Sequence, residues 1–430
     1  MAMRILAAAW EWEPPRKPMR MRDWAWARRA VAEAVRRSRR RIGVSLQRGN
    51  GGGVRLDWEG MVRLLLAWMM AVGAACAAAP EIRGVWVARD SLGSRESIAA
   101  MTERLKEANF NVIFVNVWSR GYPLWRSSVF ERETGVAVDP AAGGRDVLAE
   151  TIEEAKARGL AVVPWFEYGF VAGWSGNVPE GSMGPLLDKH PEWSAKTSSG
   201  ATAFAWAGNT QAYWLAHTHP EAQRFLLDLI AEVVERYDVP AIQFDRARYP
   251  ATDCGYDEAT LKLYAAEHEG AAPPSNPNDA AWMKWRAEKL NLFAKAIHER
   301  VRAANWRGLV TNAPIVYPFS YVNFLQDYTA WAREGSLDFV SPQIYRNTQA
   351  AFVAELENQM ARLGGATRLV PGIDVTNLPD ASGLIAAIAA IREKGLPGFV
   401  VWYYEGLVRK NALGALKETV LAEPAALPWK

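Results

Sequence analysis

From Glu81 onwards the chain alternates short apolar runs with segments of helical period. Eight runs read as strands: 82–88, 111–117, 160–166, 241–245, 309–312, 338–345, 368–374 and 398–403. They are hydrophobic throughout, without the polar alternation of a half-solvated sheet, which predicts strands buried on both faces of a parallel sheet. Helices are predicted near 95–108, 145–158, 220–236, 281–303, 322–334, 349–363 and 380–394, with 406–421 after the last strand. In the first of these, Ile98, Met101, Leu105 and Ala108 recur at helical spacing. Gly159 and Gly395 stand as stop signals before the third and eighth strands. Eight such units predict an α/β fold, a (β/α)8 TIM barrel; a doubly wound sheet usually has fewer strands. The longest connections, 118–144, 167–219 and 246–280, follow strands two, three and four. They therefore belong to the C-terminal face, where such a barrel keeps its chemistry.

The polar residues that end these runs carry the candidate chemistry. The fourth run, Ala241-Ile242-Gln243-Phe244, stops at Asp245 and continues Arg246-Ala247-Arg248-Tyr249-Pro250. The third stops at Glu167. Two carboxylates on adjacent strand ends can flank one bond, as glycoside hydrolysis requires: one acid protonates the leaving oxygen and the other carboxylate acts as base or nucleophile. Glu167 lies among Trp165, Phe166, Tyr168 and Phe170, so burial is expected to raise its pKa and suit it to the acid role. Arg246 and Arg248, pointing inward, are expected to favour ionised Asp245. The reverse assignment stays open, and so does a structural reading in which Glu167 caps a loop and Asp245 pairs with Arg248 at the rim.

Further strand-end candidates are Asp90, Asn116, Asn312, Gln343, Tyr345, Asp374, Tyr403 and Glu405. Asn312, Gln343 and Tyr345 read as hydroxyl binders. Glu405 reads as the start of the last helix, where a carboxylate suits the dipole. Trp118, Trp165, Tyr168 and Arg248 complete the expected substrate-contacting set with Asn116, Asn312, Gln343, Tyr345, Asp374 and Tyr403. Composition adds one anomaly, 20 tryptophans. Trp118, Trp125, Trp174, Trp193, Trp206 and Trp214 all lie in the long connections, where a flat ring can stack on the C–H face of a sugar or build a satellite core.

The net charge of +3 misleads, because residues 1–60 carry 14 Lys/Arg against 6 Asp/Glu and the remainder is acidic. An acidic folded part argues against nucleic acid as a partner. Two cysteines, Cys76 and Cys254, exclude a disulfide scaffold and a Cys-rich zinc site. His217-Thr218-His219 precedes Pro220 at a helix entry, with no companion ligand at metal spacing, so no metal and no cofactor is expected. No phosphate-binding or nucleophile-elbow motif is present.

Residues 1–60, with Arg36-Arg37-Ser38-Arg39-Arg40-Arg41 and a glycine run from Gly49 to Gly53, read as a basic extension, either outside the native protein or a disordered tail of it. Residues 61–79 have the basic start, apolar core and small-residue end of an export signal, followed by a barrel over 80–423 and a tail over 424–430. This predicts a periplasmic or extracellular protein with no membrane span once the signal is removed. An uncleaved signal or a lipidated Cys76 would leave it membrane-attached.

Ordered blocks from Glu81 to Glu405 resemble the glycosyl-hydrolase-like family of bacterial envelope barrels, which includes a division-site peptidoglycan glycan hydrolase. The blocks are Arg83-Gly84-Val85-Trp86, Pro164-Trp165-Phe166-Glu167-Tyr168-Gly169-Phe170, His219-Pro220-Glu221, Ile242-Gln243-Phe244-Asp245, Gly255-Tyr256-Asp257, Pro274-Ser275-Asn276-Pro277, Trp285-Arg286, Tyr321 to Asp327 and Gln343-Ile344-Tyr345-Arg346. The resemblance implies a barrel hydrolase acting on glycan chains, with the chemistry at Glu167 and Asp245. The chain departs from the pattern at Arg246, where several relatives have a second acid, and at Ala216-His217-Thr218, where an Asn-Pro-like turn is usual.

Overall fold

A computed structural model describes residues 79–428. The basic extension at 1–60, Cys76 and all but the last residue of the expected signal at 61–79 lie outside the described residues. Eight strands form one parallel sheet: β1 Ile82–Val87, β2 Val112–Asn116, β3 Ala161–Phe166, β4 Ala241–Phe244, β5 Leu309–Asn312, β6 Phe339–Val340, β7 in two pieces, Arg368–Leu369 and Gly372–Asp374, and β8 Gly398–Trp402. Neighbours pair in chain order from β1 to β6, and β1 pairs with β8. The first piece of β7 pairs with β6 and the second with β8. Val370 N donates to Val340 O and Val400 N to Pro371 O, so the ring closes through this split strand. The architecture is the expected (β/α)8 barrel.

The principal outer helices are α1 Arg95–Glu107, α2 Val147–Ala157, α3 Pro220–Arg236, α4 Ala280–Ala303, α5 Tyr328–Arg333, α6 Gln349–Leu363, α7 Ala381–Glu393 and α8 Ala412–Lys417. Among the described residues no helix is long and apolar enough to cross a membrane. Strand parity divides the core in two. Ile82, Trp86, Val112, Phe114, Val163, Trp165, Ala241, Phe339 and Val400 fill the barrel, while Val85, Ile113, Val115, Val162, Ile242, Val310 and Val401 meet the helices. A Cβ on Gly372 would lie 2.7 Å from the Trp86 ring, so the missing side chain makes room for that indole.

Besides the split β7, three expected elements are shorter or broken. The strand expected over 338–345 keeps a two-residue ladder, because Pro342 offers no N–H; Gln343 rejoins through single bridges to Ile315 and Gly372. The helix expected over 322–334 is two, Phe319–Phe324 and α5, parted at Leu325 with φ +56. The last helix, expected over 406–421, begins earlier as Tyr404–Arg409 and breaks at Asn411 before α8. The expected tail turns back onto the barrel floor: Glu81 N donates to Ala426 O, and Leu427 packs on the interior cluster.

The long connections are folded. The one after β2 carries a short ribbon, Trp118–Ser119 with Tyr122–Pro123, and the helix Ser128–Thr134. The one after β3 builds an antiparallel sheet from Val171–Trp174, Gln211–Trp214 and Ala203–Ala205. The one after β4 carries the helix Glu258–Glu267, whose Tyr264 packs with Trp282 and Trp285.

Candidate active site

Register places the two carboxylates side by side. Phe166 and Phe244 are the last paired positions of β3 and β4, and Glu167 and Asp245 follow directly. The alternation that sends Trp165 and Gln243 inward sends these two inward as well. The turn beyond β3 is tight: Gly169 has φ +48, and a Cβ there would come within 2.2 Å of Asp245 O. Glycine therefore lets the β3 turn lie against the end of β4.

Glu167 is buried, and its carboxylate accepts Asn116 Nδ2 and Arg246 Nη1, the latter at 3.2 Å. Burial pushes its carboxyl up to about 7; Arg246 opposes that rise and the charge of Asp245 adds to it. Asp245 is also buried, accepting Arg246 N at 2.6 Å and Gln343 Nε2 at 3.2 Å. Its pKa is raised by burial, which outweighs the opposing charges of Arg246 and Arg248. Both arginines do favour ionised Asp245, as expected, but burial acts against them and the net shift is upward. Desolvation of a carboxylate beneath a barrel mouth exceeds what two partly solvated guanidiniums return.

Arg246 adopts φ +42, which turns its N–H onto Asp245 and its guanidinium onto Glu167. The guanidinium carbon sits 5.0 Å from the ring centroids of both Tyr168 and Trp206, which stack on each other. Arg248 forms no salt bridge with Asp245; its guanidinium packs on Phe324 and Trp214. The rim ion pair between Asp245 and Arg248 is therefore absent among the described residues.

The structure brings several other expected residues to this centre. Asn116 faces Glu167, and Gln343 bridges Asp245 to Ala313 O at 3.0 Å. Tyr345, half-buried, feels the charges of Asp245, Asp374, Arg246 and Glu167 together. Asp374 points inward from β7, one carboxylate oxygen held by Thr376 N at 2.7 Å. Trp165 packs with Trp86 and Trp402 inside the barrel, beneath the carboxylates. Tyr168 reaches the site through Arg246.

Others fall elsewhere. Asn312 shares the outward parity of Val310, is fully buried and donates to Phe244 O at 2.7 Å, so it braces β4 and meets no substrate. Trp118 is fully buried against Phe130 and Phe225, between barrel and helices, without a free face for a sugar. Trp125, Trp193 and Trp214 are buried likewise, so these four form the satellite core; Trp174 and Trp206 are half-buried. Tyr403 stacks on Trp402 and accepts from Arg409 at the edge of the mouth. Asp90 is exposed in a short 3-10 helix, and Glu405 lies in the first turn of Tyr404–Arg409, as expected. His217 Nε2 meets Arg248 O at 2.9 Å, and burial lowers its pKa to about 3. The ring is therefore neutral and donates this bond to the carbonyl, bracing the backbone.

A groove of about 380 Å³ opens beside Gln343 and Tyr345, walled by Ile315, Tyr317, Phe319 and Arg346. Phe319 is 53% exposed there, an aromatic face free for a ligand. Sequence reasoning missed Trp402, Phe319 and the side-chain role of Arg246. Strand parity would have selected Trp402 over Tyr403; Phe319 carried no such signal.

Residues 81–378 match the family described as glycosyl hydrolase-like 10. The chain belongs to that family. It is similar to the glycosyl hydrolase YngK of Bacillus subtilis (strain 168), 27% identical over 300 residues, covering 62% of this chain and 54% of that protein. It is also similar to the glycosyl hydrolase DigH of Escherichia coli (strain K12), 25% identical over 294 residues, 62% of each chain. The match thus spans less than two thirds of either relative. Among solved structures, the PgaB (BpsB) glycoside hydrolase domain from Bordetella bronchiseptica shares the fold with TM-score 0.57 at 16% identity, covering 79% of this chain and 98% of that one. The catalytic domain of β-amylase from Paenibacillus polymyxa does so at TM-score 0.56 and 14% identity, covering 80% and 99%.

Proposed function

We propose that the protein is a glycoside hydrolase that cleaves O-glycosidic bonds of a cell-envelope glycan, with peptidoglycan glycan strands as the preferred substrate. The observation that carries this reading is the buried pair Glu167 and Asp245, in which Glu167 titrates near neutrality. Glu167 gives its proton to the glycosidic oxygen and the bond from the sugar C1 to that oxygen breaks with its electrons on the leaving group; C1 is taken either by a water whose proton passes to Asp245, or by the Asp245 carboxylate, whose glycosyl ester a water then cleaves. Gln343 and the Arg246 N–H orient Asp245, and Asn116 orients Glu167. Segment 61–79, read as an export signal, supports a substrate outside the cytoplasm.

One observation favours a second reading, a carbohydrate-binding barrel without catalysis: Arg246 holds Glu167 in an ion pair at 3.2 Å. Release of reducing ends from cell-wall sacculi and from a panel of polysaccharides separates the two. Glu167→Gln and Asp245→Asn are each expected to lower the rate by about a hundredfold or more while glycan binding persists. A parent protein that binds these glycans but releases nothing, with variants that bind as it does, leaves the binding barrel as the correct reading.

A further inference from the structure

Three guanidiniums act on the carboxylate pair, and only one of them is neutralised. Arg246 pairs with Glu167. The charge of Arg120 reaches Glu167, and that of Arg248 reaches Asp245. Among the described residues neither Arg120 nor Arg248 has an ion-pair partner; the one hydrogen bond of the Arg248 side chain is a long contact of 3.5 Å to Tyr249 O. Burial and the neighbouring Arg246 bring Arg248 down to about 10, still protonated at neutral pH. The protein thus keeps a partly desolvated cation whose charge Asp245 feels but which forms no ion pair among the described residues, an arrangement that costs stability unless a ligand supplies the charge.

The side chain is also held in place. Its guanidinium carbon lies 4.6 Å from the Phe324 ring centroid and 5.5 Å from that of Trp214. Its carbonyl takes the bond from neutral His217, whose ring stacks on Tyr249 at 3.9 Å, and Tyr249 N donates to Phe324 O at 2.9 Å. Faces packed on aromatics leave the N–H edge for in-plane bonds, and the residue is half-buried, not enclosed.

We propose that Arg248 is a subsite for a carboxylate carried by the glycan, so that the substrate is an anionic polysaccharide with its acidic group next to the bond at Glu167 and Asp245. A planar guanidinium binds a carboxylate through two parallel N–H bonds, a match no neutral sugar hydroxyl offers. The carboxylate comes either from a uronic acid or from a lactyl ether on an amino sugar. This inference rests on the glycosidase reading above.

The test uses the Glu167→Gln protein, which keeps the cleft and does not turn over. Calorimetry compares a uronate oligosaccharide and a lactyl-ether amino-sugar oligosaccharide, each against its carboxyl-reduced counterpart. At least one acidic ligand is expected to bind about tenfold tighter than its reduced form, and which one does identifies the source. That preference is expected to shrink in about 0.5 M salt, a readout that needs no second substitution. Adding Arg248→Gln brings acidic and reduced ligands to within about twofold, and Arg248→Lys restores part of the difference. Equal affinity for acidic and reduced forms, or a preference that survives Arg248→Gln, overturns the subsite while cleavage by the parent keeps the hydrolase. No binding and no cleavage of any glycan removes the hydrolase reading and the subsite with it.

Discussion

Arg246 governs the ionisation of the site more than any other single residue. Its cation opposes the burial that raises Glu167, which holds that acid near 7 rather than higher. If protonated Glu167 is the acid, activity falls as pH rises through about 7. Removing the cation raises the Glu167 pKa further, so Arg246→Met is expected to move the alkaline limb of kcat/KM upward by about one pH unit. A purely structural role for Arg246 would lower the rate and leave the limb where it was. The pH profile of the variant therefore tests both the acid and the positioning residue. The sequence places Arg246 next to Asp245, and the side chain instead pairs with Glu167 across the strand ends. That exchange depends on a positive φ that the residue type does not announce.

At the scale of elements, the site is the meeting of two strand ends, and Gly169 is what lets them meet. An alanine there would need φ +48 and a Cβ inside the van der Waals shell of Asp245 O. Gly169→Ala is expected to cost about 2–4 kcal/mol of stability, read by urea denaturation, and to lower kcat/KM through displaced carboxylates. A substitution that leaves the urea midpoint unchanged would show that the turn is not held against β4. The interrupted strands have a plainer cause. Pro342 and Pro371 lie inside runs hydrophobic enough to read as continuous strands, and the missing N–H breaks the ladder. Leu325 breaks the helix pattern because Gln326 is drawn into the core to bond Ile315 N and Ala247 O. No local periodicity encodes that pull.

For the whole molecule, the barrel separates a reactive mouth from a braced floor. At the floor, Arg83 bonds Glu81 at 2.7 Å and Glu423 O at 2.6 Å, and Arg392 joins the same carboxylate at 2.7 Å. Burial alone would push Glu81 up, but the two guanidiniums outweigh it and hold its pKa below the usual range. Arg83→Ala is expected to remove about 3 kcal/mol of stability, since Arg392 still covers Glu81, and to leave kcat within about twofold. A change in kcat beyond that would show that the floor communicates with the mouth.

Eight strands, their order, the carboxylates that end β3 and β4, and the inward place of Asn116 and Asp374 were legible in the chain itself. Burial and parity act locally, so hydrophobic runs and a period of two carry them. Tertiary structure alone decided which tryptophans line the cleft and which fill the satellite core, since an indole suits either place. It also decided that Asn312 braces β4 and that Arg246 pairs with Glu167. It left Arg248 without an ion pair among the described residues, because charge pairing depends on distances between strand ends that no spacing along the chain records.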